Sequence, residues 1–130
     1  MSKDKIARET LTAYADAWRD NTKEAWLELF AEDAEVIDPV GAPGHRGEAE
    51  IAAFWDRIRA TGMTMNPTVH RIAVCGSEAM LHFTMTSTVA GGMGMAVEIV
   101  DIFTLNGEGK ILQLKAYWDQ GCTKMVTAGV

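Results

Sequence analysis

Cysteine is nearly absent: Cys75 and Cys122 are the only two, far apart, with no C-x-x-C and no Cys/His cluster. That excludes a disulfide framework and reads as two free thiols in a reducing compartment. His45, His70 and His82 fall at none of the intervals used by zinc sites, so no metal is expected. Basic residues are scarce as well. With 12 Lys+Arg against 18 Asp+Glu the net charge is -6, and the isoelectric point is near 5.0. A nucleic-acid partner is thereby excluded, because phosphate binding draws on clustered Lys and Arg. No apolar run approaches the about 18 residues of a membrane span, and the N-terminal "MSKDKIARETL" has no apolar signal region. The chain therefore reads as soluble and cytoplasmic, with no membrane partner. No phosphate-cradling glycine loop is present, since "GGMGM" falls between strand-like segments and reads as a hairpin turn. No cofactor is implied.

What is there is an ordinary globular composition over residues 1–130, a length that predicts a single domain. Ile6, Thr10, Tyr14 and Trp18 recur every fourth residue between 3 and 20, with Ala7, Leu11 and Ala17 beside them. This spacing predicts a helix with Tyr14 facing inward. The run "NTKEAWLELFA" begins with Asn21 three residues before Glu24, a capping-box pattern, and predicts a second, shorter helix burying Trp26, Leu29 and Phe30. A strand at 34–38 and a Pro/Gly-rich turn precede a third helix over 48–61, whose apolar face is Ile51, Phe54, Trp55 and Ile58. From residue 63 the texture becomes Thr, Val, Ile, Met and Phe in strand-length segments linked by "CGSE", "AGGMG" and "NGEG". Helices followed by hairpin-linked strands predict an α+β fold, with the helices on one face of a curved sheet.

Two carboxylates stand out. Strand parity places Val97, Ile99, Asp101 and Phe103 on one face and Val100 and Ile102 on the other, so Asp101 lies among apolar side chains either way. An ordinary buried aspartate is satisfied by backbone donors or an arginine. Alternatively, desolvation raises its pKa and leaves it a neutral donor. Asp38 precedes Pro39, first of all a turn signal. Yet the alternation with Val36 aims its side chain toward the core, where an ionised carboxylate is a candidate general base. Tyr14 reads either as a core tyrosine or, beside a protonated acid, as part of an oxyanion hole. Trp18, Trp26, Trp55 and Trp118 suit a cavity for a flat apolar ligand, although the same residue types fill plain cores. Leu81, Phe83 and Met85 share one strand face, as do Leu114, Ala116 and Trp118.

Tyr14, the segment "EVIDPVG" and the segment "VDIFTLNGEGKI" resemble the steroid delta-isomerase (ketosteroid isomerase) family of the nuclear-transport-factor-2-like (SnoaL-like) superfamily, over nearly the whole chain. The resemblance implies a cone-shaped α+β roll, three helices of the N-terminal half packed on a curved, mostly antiparallel mixed sheet. It implies cofactor-free conversion of 3-oxo-delta-5-steroids to 3-oxo-delta-4-steroids through a dienolate, with Asp38 as general base. Tyr14 and a protonated Asp101 would be the oxyanion hole. Ketosteroid isomerases are themselves the standard example of such a split between two carboxyl pKa values, so the split comes with the resemblance. Also implied are a small apolar ketone as substrate, a homodimer formed through the outer sheet face, and a substrate cavity lined by Trp18, Phe54, Trp55, Phe83, Met85, Phe103 and Trp118. Trp55 departs from the family pattern, which has a tyrosine there. The same superfamily also holds polyketide cyclases, dehydratases and non-catalytic binders of hydrophobic ligands, which remain alternatives.

Overall fold

The computed structural model describes residues 2–89 and 92–127. Helix α1 runs over Lys3–Asp20, capped at its start by Ser2, whose hydroxyl accepts from the Lys5 amide at 3.2 Å. Its apolar face buries Ala7, Leu11, Tyr14 and Trp18. Asn21 ends it in the left-handed region (φ 56), returning its amide to the Ala17 carbonyl. This differs from the expected N-cap of the next helix. Asn accepts left-handed backbone with little strain, and that use commits it to closing α1. Helix α2 is accordingly only Lys23–Leu27, with Thr22 before it. Phe30 was expected in α2 but opens β1 (Phe30–Ile37), where it pairs with Ile111. A neighbouring strand thus competes successfully with the helical pattern. The expected strand at 34–38 is longer toward its N-terminus for the same reason.

The two-residue strand β2 (His45–Arg46) leads into α3 (Gly47–Arg59), and the long strands follow: β3 (Asn66–Cys75), β4 (Glu78–Thr88), β5 (Met93–Leu105), β6 (Ile111–Tyr117) and β7 (Thr123–Thr127). The seven strands form one sheet in the order β2-β1-β6-β5-β4-β3, with β7 also on β5. Only β1 and β6 pair in parallel; the other ladders are antiparallel. This is the expected α+β fold with three helices on a curved mixed sheet. Of "GGMGM", Gly91 lies outside the described residues, and Met93–Met95 belong to β5, so the strand begins earlier than expected.

Strand β5 is long enough to carry two partners on one edge: residues 100–105 pair with β6, and residues 93–97 pair with β7. Its inner row packs under the helices with Leu81, Phe83, Leu114 and Ile111, all buried beside Trp26, Leu11 and Ile51. Each such side chain contributes about 1.5–3 kcal/mol on burial. The turn after β5 is fixed to α1. Gly109 has φ +81, and a Cβ there would collide with Ile6, while its carbonyl accepts from the Thr10 hydroxyl at 2.9 Å. That close approach sets the height of α1, and with it Tyr14, over the middle of β5. No described helix is long and apolar enough to cross a membrane.

Candidate active site

On β1, Ala34 and Val36 point into the core, and the alternation carries Asp38 inward just past the strand end. The Asp38–Pro39 peptide is cis, and the next amide, Val40, donates to the Ala116 carbonyl at 2.9 Å, tying this turn to β6. Trp118 approaches from the end of β6, and its indole Nε1 donates to Asp38 Oδ1 at 2.7 Å. Desolvation raises the Asp38 pKa above the usual carboxylate value; the Trp118 hydrogen bond and the nearby His45 work against that rise.

Asp101 sits mid-strand on β5, directly between Leu81 of β4 and Ala116 of β6. It is 2% exposed and, among the described residues, has neither a cation partner nor a side-chain hydrogen bond. The ordinary explanation for a buried aspartate, satisfaction by an arginine or backbone donors, therefore does not describe it. Burial in this apolar row, and secondarily the charge of Asp38, lift its pKa well above the usual range. From α1, Tyr14 reaches the same place, 4% exposed, with its ring edge-on to Phe103 at 5.1 Å. Its phenol is pushed well up by desolvation, then by Asp101 and Asp38; the nearby indoles of Trp18 and Trp26 act in the opposite direction. The three groups thus feel one another. The Trp118 hydrogen bond and His45 offset part of the desolvation at Asp38 and nothing among the described residues offsets that of Asp101, so as pH rises Asp38 loses its proton before Asp101. The arrangement sets a partly buried carboxylate, Asp38, against a buried carboxyl, Asp101, and a buried phenol, Tyr14.

Known proteins resemble this chain in sequence and in fold. The profile of the SnoaL-like domain matches residues 11–114. Over 114 residues, 88% of this chain and 90% of the relative, the sequence is 30% identical to a steroid Delta-isomerase of Nocardioides simplex. This chain belongs to the SnoaL-like family, among its steroid Delta-isomerase relatives. The fold of this SnoaL-like domain is shared with a Delta 5-3-ketosteroid isomerase from Mycobacterium sp., with a TM-score of 0.81 at 22% identity, covering 93% of this chain and 98% of that one. It is shared equally with an epoxide hydrolase/cyclase-like enzyme of pyran ring formation in the polyether salinomycin. There the TM-score is 0.84 at 20% identity, covering 98% and 99% of the two chains.

The expected cavity walls of this SnoaL-like domain are arranged in two groups. Phe83, Met85 and Phe103 are buried on the inner face of β4 and β5, in the same rows as Asp101. Phe54 lies over His45 at 5.0 Å, and both line a cleft of about 460 Å³ with Met63, Met65, Ser87 and Met95. Trp118 is 36% exposed and forms the edge beside Asp38. By contrast, Trp18 and Trp55 stack on each other at 4.1 Å, with the Arg59 guanidinium over both rings, in the packing behind Tyr14. Three neighbours escaped the sequence reading. His45 is brought opposite Val36 by the two-residue β2, too short to leave a periodic signal. Arg59 and the closeness of the Trp26 indole to Tyr14 depend on side-chain direction, which spacing alone does not give. His82 turns to the opposite face from Phe83, as its parity predicts, and bonds Glu98 at 2.9 Å.

Proposed function

We propose that this protein is a steroid Delta-isomerase that moves a carbon–carbon double bond into conjugation with a ketone without a cofactor. Asp38 takes the proton from the carbon between the ketone and the double bond of a 3-oxo-delta-5-steroid. Negative charge then develops on the ketone oxygen, which receives hydrogen bonds from Tyr14 and from neutral Asp101. The same Asp38 carboxyl returns the proton to the far carbon of the dienolate, giving the 3-oxo-delta-4-steroid with atoms and charge balanced. One observation carries the reading: an unpaired, buried Asp101 stands beside Tyr14, while Asp38 accepts a hydrogen bond from Trp118 that offsets part of the rise in its pKa. Donors fixed before the reaction stabilise charge as it forms, each contributing about 2.7–4 kcal/mol to the barrier.

The buried Phe54, Phe83, Met85 and Phe103 supply an apolar wall for the rings. Half-buried Val100 and Ile102 on the outer sheet face, with Tyr117 at 45% exposed, would join two copies as a homodimer. The likeness in fold to a cyclase-like enzyme supports, as a second reading, acid–base chemistry on another apolar ketone at the same three residues.

The test is a spectrophotometric assay with 5-androstene-3,17-dione, following the ultraviolet absorbance of the conjugated enone, with the Asp38→Asn variant alongside. Removal of a general base predicts a loss of about 10²–10⁴-fold in kcat with the fold and ligand binding retained. Unchanged turnover in the variant refutes the role of Asp38. Tight binding of equilenin by a wild-type protein that does not turn over the dione favours the second reading.

A further inference from the structure

The Trp26 indole is completely buried, and its Nε1 meets no acceptor at hydrogen-bonding geometry. A donor in that position has given up water without an evident replacement, and native folds rarely leave one so. Aromatic rings enclose the indole: Phe30 at 4.8 Å, Trp55 at 4.9 Å, Trp18 at 5.4 Å and Tyr14 at 6.3 Å. Of these four neighbours only Tyr14 carries an oxygen. Although no hydrogen bond forms at ordinary geometry, the Trp26 indole is near enough to the phenol to favour its ionised form, as is that of Trp18. The charged groups around Tyr14 act otherwise. Asp101 from β5 and Asp38 from the turn after β1 oppose its ionisation, and Arg59 from α3 lies over the faces of Trp18 and Trp55.

The geometry points to Trp26 as a positioning residue whose Nε1–H donates to the Tyr14 hydroxyl oxygen when the Tyr14 proton is drawn toward a negatively charged acceptor. Indole nitrogen donates and cannot accept. It therefore strengthens Tyr14 as a donor without competing for the Tyr14 proton, which stays available to the bound oxygen. Chains of hydrogen bonds reinforce one another in a low dielectric, so a donor behind Tyr14 is felt in front of it.

The direct test is the indole N–H resonance of Trp26 in ¹⁵N-labelled protein, compared with Tyr14→Phe, in the presence of equilenin. A contact to the Tyr14 oxygen predicts an upfield move of the Trp26 signal in the variant, while that of Trp118, which bonds Asp38, stays in place. An unmoved Trp26 signal means that the N–H faces a ring instead, and overturns the inference. Trp26→Phe adds a second readout, which rests on the isomerase role proposed for Tyr14: kcat falls by about tenfold while KM stays within about twofold. Equal kcat in a folded Trp26→Phe protein also overturns it. Absence of wild-type turnover bears on the isomerase reading alone, and the resonance comparison still decides.

Discussion

Replacing Asp101 by Asn separates what this residue does for the reaction from what it does to the fold. In the unfolded chain an aspartate titrates near 3.8; in the folded protein its burial between Leu81 and Ala116 lifts the value well above that. Between those two values the folded state holds a proton that the unfolded state has released. Stability is full below the unfolded pKa, falls as pH rises, and stops falling once the folded pKa is passed. The slope from this one group is about 1.4 kcal/mol per pH unit. Asn does not titrate, so the variant loses that slope. Asp38, also raised, contributes in the same direction in both proteins and cancels in the comparison. Urea unfolding at a series of pH values from acid to neutral should therefore give curves that diverge as pH rises, the wild type losing stability faster. Divergence is the criterion, since Asn brings a buried amide of its own that offsets the absolute values. Turnover should meanwhile drop by less than the about 10²–10³-fold expected for full loss of a donor, because the amide still donates weakly. Parallel stability curves would mean that Asp101 is ionised in the fold, and the argument for a neutral donor acid would fail with it.

Trp118→Phe removes the 2.7 Å bond to Asp38, so the Asp38 pKa rises. Because the base acts ionised, the acid limb of the kcat/KM profile should shift to higher pH, and an unshifted limb would show that the indole does not tune the base. Ile102→Lys places a charge on the outer sheet face and should convert a dimer to monomers in sedimentation velocity, while leaving far-ultraviolet circular dichroism unchanged. A wild-type monomer at all concentrations would refute the proposed contact.

Periodicity revealed most of the architecture because most elements have one apolar face, β5 with two being the exception. α1 reads directly from its fourfold repeat, and the strands from their twofold alternation. Legibility failed where an element's identity depends on a partner far along the chain. Phe30 looks helical until Ile111 is beside it, and Asn21 looks like a cap for the following helix until the backbone is seen to turn left-handed there. The same holds at the site. Asp101 was visible as a carboxylate in an apolar strand whichever way it pointed. The sequence does not disclose that no cation among the described residues reaches it, because an arginine from any other element would have reversed its protonation.

The amino-acid sequence alone thus determined the α+β class, the apolar row that Asp101 shares with Val97, Ile99 and Phe103, the inward aim of Asp38 and the inner face of α1 that carries Tyr14, since each follows from local side-chain periodicity. Tertiary structure alone decided that these three meet, that Trp118 steadies Asp38, and that Trp18, Trp26 and Trp55 pack together behind Tyr14. Those facts rest on the register between β5, β4 and β6 and on the height of α1 over the sheet. Both are set by contacts between residues distant in the chain, whose spacing carries no periodic trace.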